Sequence, residues 1–214
     1  MLARTLAYIE LADLNPKGKV FLPDLIKGIA DRYKFQRLPK FEEREKEGLI
    51  FEEGKIGNKV IKKLTLFDAL IVLETASNTS DSTQLIEELL LWGAAKFDLN
   101  YQPQSIKSFG YVNAVTFYSD TPILEANPAL RKIADVTGEA VSEMRKEQLR
   151  YQTINITIGH DPMARKNPIA SFIITRRAEA KFSENKYYSE APLPTDMHIA
   201  LLEEYEADMQ RLLA

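Results

Sequence analysis

The sequence predicts an α+β fold with a mostly antiparallel sheet and helices packed on it, and three observations carry that prediction. Segments of period two are interspersed along the chain with segments of helical period. Glycine, proline and asparagine clusters fall between those segments rather than inside them. The 214 residues are 45% apolar and 28% charged, the balance of a globular chain that buries a core without disulfide or metal. At this length a single domain over residues 1–214 is expected.

Taken in order, residues 2–14 fit both periods, and the turn "NPKGK" after them favours a strand. "FLPDLIKGIADRYKF" reads as a helix with Pro23 near its start and Leu22, Ile26, Ile29 and Tyr33 on one face. The charged stretch "LPKFEEREKEG" reads as an exposed connection. "LIFEEGKI" and "KVIKKLTL" flank Gly57-Asn58, a tight-hairpin pair. The unbroken apolar run "ALIVLETA" continues or follows the second strand in a central position.

A helix over "STQLIEELLLWGAAKF" carries Leu85, Leu89, Trp92 and Lys96 on one face, with Asp81 and Gln84 as its capping pair. Trp92 is expected in the core. "FGYVNAVTFYSD" alternates as a strand. Asn127 and Pro128 open the next helix, with an inward stripe of Leu130, Ile133/Ala134, Thr137, Val141 and Met144. Residues 149–159 and "PIASFIITRRAEA" then form a hairpin with "GHDPMARKNP" as its turn. The final helix, capped by Thr195 or Asp196, presents His198, Leu201/Leu202, Tyr205, Met209 and Leu212. The first six elements follow the β-α-β-β-α-β order of a ferredoxin-like unit, with helix, hairpin and C-terminal helix after it. No internal repeat is visible in the residues.

Chemistry is constrained by what is missing. With no cysteine, thiol catalysis, zinc ribbons and iron–sulfur clusters are out, and the two histidines are far apart. The chain has no P-loop, no Rossmann glycine pattern and no G-x-S-x-G elbow, so no motif implies a cofactor or a metal. The first residues lack the charged and apolar regions of a secretory signal, and the apolar runs are too short to span a bilayer. A soluble protein in a reducing, cytoplasmic setting is expected. His160 and Asp161 make a possible functional loop, while His198 is expected to be packed or hydrogen-bonded.

Charge distribution is the strongest functional signal. The overall charge of −3 hides a net +5 over residues 145–181 and a net −5 over 182–214. Offset of the two segments against each other is the plain structural reading. A protein-binding surface is the functional one: Arg165, Lys166, Arg176, Arg177, Phe182, Tyr187 and Tyr188 are of the types that dominate interface centres. Residues 182–194, closed by two prolines, then read as an extended docking arm. The sequence thus favours a non-catalytic protein–protein interaction role (adaptor, inhibitor or subunit of a larger assembly) with a protein partner or a second copy. An enzyme whose acid/base site assembles in space near His160 is the alternative. Nucleic-acid or anion binding by the basic 145–181 region ranks third, because the acidic total opposes non-specific affinity.

Overall fold

The computed structural model describes residues 1–40, 48–164 and 169–213. Eight strands and five α-helices lie among them, so the fold is α+β, its described strand pairings are antiparallel, and helices pack on the strands. The chain gathers into two compact units, one of Met1–Asn113 with Pro192–Thr195, the other of Ala114–Ala191 with Asp196–Ala214.

The first unit contains β1 (Leu2–Tyr8), α1 (Leu11–Leu14), α2 (Leu22–Tyr33), β2 (Leu49–Ile56), β3 (Lys59–Phe67), β4 (Leu70–Thr75) and α3 (Thr79–Phe97). Its strands lie in the order β2-β3-β4-β1, followed by the first half of β5 (Ser108–Tyr118). The β2–β3 turn is tight because Gly57 supplies a φ of +56°. "ALIVLETA" contributes a strand of its own, folded back so that Phe67 faces Leu70. That adds one strand to the expected βαββαβ order and brings β4 against β1.

Alternation, shifted by an irregularity between Ile61 and Lys63, sends Phe51, Ile61, Leu64, Ile71 and Leu73 into the core, where Ile26, Ile29 and Tyr33 of α2 and Leu85, Ile86, Leu89 and Leu90 of α3 meet them. A buried polar cluster sits beside this core. Thr79 and Thr195 exchange hydrogen bonds, each backbone N–H donating to the other's hydroxyl at 2.9 and 2.8 Å. The Thr195 hydroxyl donates to Asn113 Oδ1 at 3.0 Å. Thr5 and Ser82 share a bond of 2.6 Å. Every member is satisfied, which is the condition for such groups to be buried without penalty.

The second unit contains the rest of β5, then α4 (Pro128–Arg145), β6 (Asn155–Ile158), β7 (Phe172–Arg176) and β8 (Lys186–Ala191), and the helix α5 (Thr195–Leu213) from Asp196 onward. Its strand order is β5-β8-β7-β6. This is the course of the first unit again: an opening strand, a helix, a three-strand meander that returns to the opening strand, and a closing helix. The repeat is in the topology. The expected hairpin is present, with Asn155↔Thr175 to Ile158↔Phe172 in register. The expected arm at 182–194 is in large part a strand instead. β8 pairs with β7 from Ile173↔Glu190 to Arg176↔Tyr187, and the prolines lie beyond its end.

One cap also differs from expectation. Asn78, not Asp81, opens α3, and its side chain accepts from the Asp81 N–H at 2.7 Å. Asp81 instead pairs with Lys59 at 2.7 Å, and Lys59 holds its carboxyl below the usual range. Asn78→Ala should therefore lower stability by about 1 kcal/mol. Asp81→Ala, losing a partly exposed pair, should cost about half of that or less. Urea unfolding followed by Trp92 emission checks the order; a larger loss for Asp81→Ala would reverse the cap assignment.

Candidate functional site

The loop after β6 closes through His160. Its Nδ1 lies 2.8 Å from the Asp161 carbonyl, and its Nε2 accepts the Ile169 N–H at 3.2 Å. A neutral ring protonated on Nδ1 satisfies both bonds. The Asp161 carboxylate accepts from the Met163 N–H at 2.9 Å. Both side chains are thus engaged in holding the loop, and both residues are exposed. Arg165 and Lys166 lie outside the described residues.

Arg176 and Tyr187 are interior residues. The Arg176 side chain is 3% exposed, and its NH2 group meets Glu125 Oε1 at 2.6 Å. Its remaining donors reach the Thr153 carbonyl at 3.2 Å and the Phe182 carbonyl at 2.9 Å. The guanidinium also lies over the Phe182 and Tyr187 rings, 4.6 and 5.5 Å from their centroids. Tyr187 is fully buried, tilted against Phe117, and burial pushes its phenol up from the ordinary value despite the cation beside it. β-strand alternation explains this placement. Arg176 pairs with Tyr187 across the β7–β8 ladder, so both point to the covered face while their neighbours Arg177 and Tyr188 point away.

Arg177 meets Glu179 at 2.5 Å, and Tyr188 donates to Glu190 at 2.9 Å. Phe182 is 38% exposed. Among the described residues, Arg150 and Arg176 thus pair with Glu125, and Arg177 with Glu179. On α5, Glu206 accepts from Ser119, and Asp208 pairs with Arg211.

A serine and a histidine do meet in this unit. Ser189 Oγ lies 2.8 Å from His198 Nε2, a nucleophile–base distance. Both residues are fully buried, and the Ser189 hydroxyl donates to the Ile173 carbonyl at 2.7 Å. The hydroxyl proton is committed to the backbone and no solvent reaches the oxygen, so the pair is a packing hydrogen bond with Phe172 edge-on to the ring. Burial pushes the His198 imidazole below its ordinary value of 6.5, against a smaller upward pull from Glu190.

The surface that stands out is on α4. The sequence stripe expected to face inward was Leu130, Ile133/Ala134, Thr137, Val141 and Met144, and of these Leu130, Ile133 and Met144 stay outside. The face that does turn inward carries Ala134, Thr137, Gly138, Val141 and Ser142, of which Gly138 alone is fully covered. Gly138 permits a close approach: a Cβ there would stand 3.2 Å from the Leu149 carbonyl oxygen. Ser142 fastens the contact, its hydroxyl donating to the Leu149 carbonyl at 3.1 Å and accepting the Leu149 N–H at 2.9 Å. The larger apolar residues are left outside. Ile133 is 63% exposed, Val136 57% and Met144 73%. On β6, the last strand in the order, Ile156 packs on the core while Ile158 is 63% exposed.

No protein-family model matches the chain, and no curated protein is similar to it at a significant level. The geometry alone therefore has to carry the functional reading. Among the described residues no three acidic or histidine side chains are placed to hold a metal ion, and no helix is long and apolar enough to cross a membrane.

Two measurements test this description. Removing one partner of a buried ion pair strands the other, so Arg176→Met should cost about 3–5 kcal/mol, whereas Arg177→Met, at an exposed pair, should stay within about 0.5 kcal/mol. Equal effects in urea unfolding would show that Arg176 is not interior. For His198, the folded-state pKa is depressed, so below about pH 6.5 the unfolded chain binds a proton that the folded chain refuses. Stability should be undiminished by this group above that pH and fall as pH drops below it. Replacing His198 with Gln should flatten the fall, and an unchanged slope would remove the assignment.

Proposed function

We propose that the protein is a non-catalytic binding protein that works as a subunit of a protein assembly, and that the outer face of α4 is its contact surface. The observation that carries this reading is the apolar stripe that the second unit leaves uncovered. Positions 129, 133, 136, 140 and 144 advance by four, three, four and four residues. They fall within an arc of about 80° on a helix of 3.6 residues per turn. Ala129, Ile133, Val136, Ala140 and Met144 are all exposed along it. A run of exposed apolar residues on one helix face marks an interaction site, whereas scattered ones need no explanation.

The charges beside the stripe favour a second copy as the occupant. Lys132 and Glu143 lie on one flank, about three turns apart, with Asp135 and Glu139 between them. Two α4 helices packed antiparallel about a two-fold axis set Lys132 of each against Glu143 of the other. The axis then passes near the midpoint of the stripe, and the two alanines let the backbones approach. Antiparallel packing also opposes the helix dipoles. The same register brings Asp135 of each copy alongside Glu139 of the other, but farther round the helix from the stripe than the Lys132–Glu143 pair.

Sedimentation equilibrium tests the reading. Wild-type protein should associate to a dimer, and Val136→Glu should make it monomeric with its circular dichroism intact. Lys132→Glu should weaken the dimer about tenfold, on the order of 1.4 kcal/mol, and adding Glu143→Lys should restore it. A wild-type protein that stays monomeric at about 100 μM, some hundredfold above a micromolar dissociation constant, would overturn self-association. A dimer indifferent to all three substitutions would remove α4 from the contact.

A further inference from the structure

We infer that the first unit binds a neutral, largely apolar small molecule in a cavity at one end of its sheet. The site lies wholly within the first unit and does not depend on the contact surface assigned to α4. The cavity has a volume of about 810 Å³ and opens between α1, α2, α3 and the ends of β2, β3 and β4. That volume lies inside the 300–1,000 Å³ range of small-molecule sites, which are concave, mostly apolar and provided with few polar groups.

Its lining has that character. Leu25 and Ile29 of α2, Leu66 of β3, Ile71 of β4 and Leu89 and Trp92 of α3 form most of the wall. Among the described lining residues the polar side-chain groups are those of Asn15 and Asp68 and the indole N–H of Trp92. Asn15 is already used as a staple of its own loop, its Nδ2 donating to the Val20 carbonyl at 3.2 Å and its Oδ1 accepting the Val20 N–H at 3.3 Å. Asp68 is exposed, at the rim, and offers a carboxylate acceptor.

Those groups define the class of ligand. Among the described residues no lysine or arginine lines the cavity, so none of them would balance a carboxylate or phosphate, and the rim carboxylate repels one. A molecule with an alkyl or fused-ring body and one hydroxyl or amide donor directed at Asp68 satisfies that carboxylate and the apolar wall. Water does not, because an apolar wall offers it too few partners.

Trp92 is the sole tryptophan of the chain, so its emission reports on the cavity directly. The probe is bromododecanol, a neutral chain alcohol whose bromine quenches on contact, titrated into the full-length protein below its solubility limit. The expected result is saturable quenching in the micromolar range, reversed by unbrominated dodecanol. The double variant Leu22→Phe with Leu25→Phe, which fills the cavity from α2, should lose the saturable phase with its fold intact by circular dichroism. If the pair does not fold, Leu25→Phe alone serves, with at least a fivefold loss of affinity expected. Quenching that rises linearly with probe, that dodecanol does not reverse, or that survives in a folded filled variant would overturn the proposal. None of these outcomes bears on the oligomeric state of the Val136→Glu protein, so the two readings stand or fall separately.

Discussion

A guanidinium organises the second unit. Arg176 is taken out of water on a β-strand, and a buried cation is tolerated only when every donor is met and its charge is offset. Glu125 offsets the charge at one nitrogen, and the carbonyls of Thr153 and Phe182 each take a hydrogen bond from one of the other two. Three separate stretches of chain are thereby fixed around one side chain: the turn before α4, the approach to β6, and the loop before β8. The apolar core they enclose is small, comprising Ile123, Leu124, Ile174, Tyr187 and Leu202 with their partly buried neighbours.

That choice of interior has a consequence for α4. In the first unit the corresponding helix, α2, sends Ile26, Ile29 and Tyr33 into the core. In the second, the interior is closed by the ion pair, by aromatic rings and by α5. α4 is tied down through Gly138 and Ser142, and its isoleucine, valine and methionine remain outside. The same topology has been built with two kinds of core, and the proposed contact surface is the apolar face left over from the second kind. The first unit shows the opposite emphasis. Its apolar layers are extensive, and the space between them at one end of the sheet is where the proposed ligand lies.

Much of the fold was legible in the residues. Period-two runs and the turns between them located β2, β3, β5, β6 and β7, since a half-buried strand must alternate, while β1 was read from the turn after it and β4 from an unbroken apolar run. Asn127 and Pro128 marked the start of α4, and Gly57-Asn58 the hairpin turn, because both depend on local backbone chemistry. The eighth strand, β8, was hidden by its own composition. Lysine, two tyrosines, serine and glutamate read as a polar arm until Tyr187 and Ser189 are seen to face one side and Tyr188 and Glu190 the other. The candidate residues divided along the same line: Arg176 and Tyr187 went inside, and Arg177 and Tyr188 did not.

Sequence by itself determined where the chain could be helix, where it could be strand, and which chemistries it lacked the residues to perform. These are matters of local conformational preference and of inventory. For α4 it grouped Ala134, Thr137 and Val141, which do turn inward, with Leu130, Ile133 and Met144, which stay outside, and it did not mark the exposed stripe through Val136. A hydrophobic period states that one face differs from the other and says nothing of what stands opposite it. Only the tertiary structure decided that, by packing Gly138 and Ser142 against residues 149–151 at a distance where a Cβ at 138 would be tight. The topological repeat and the cavity beside Trp92 belong to the same category. Each joins residues distant along the chain, and distance along the chain carries no record of which of them will meet.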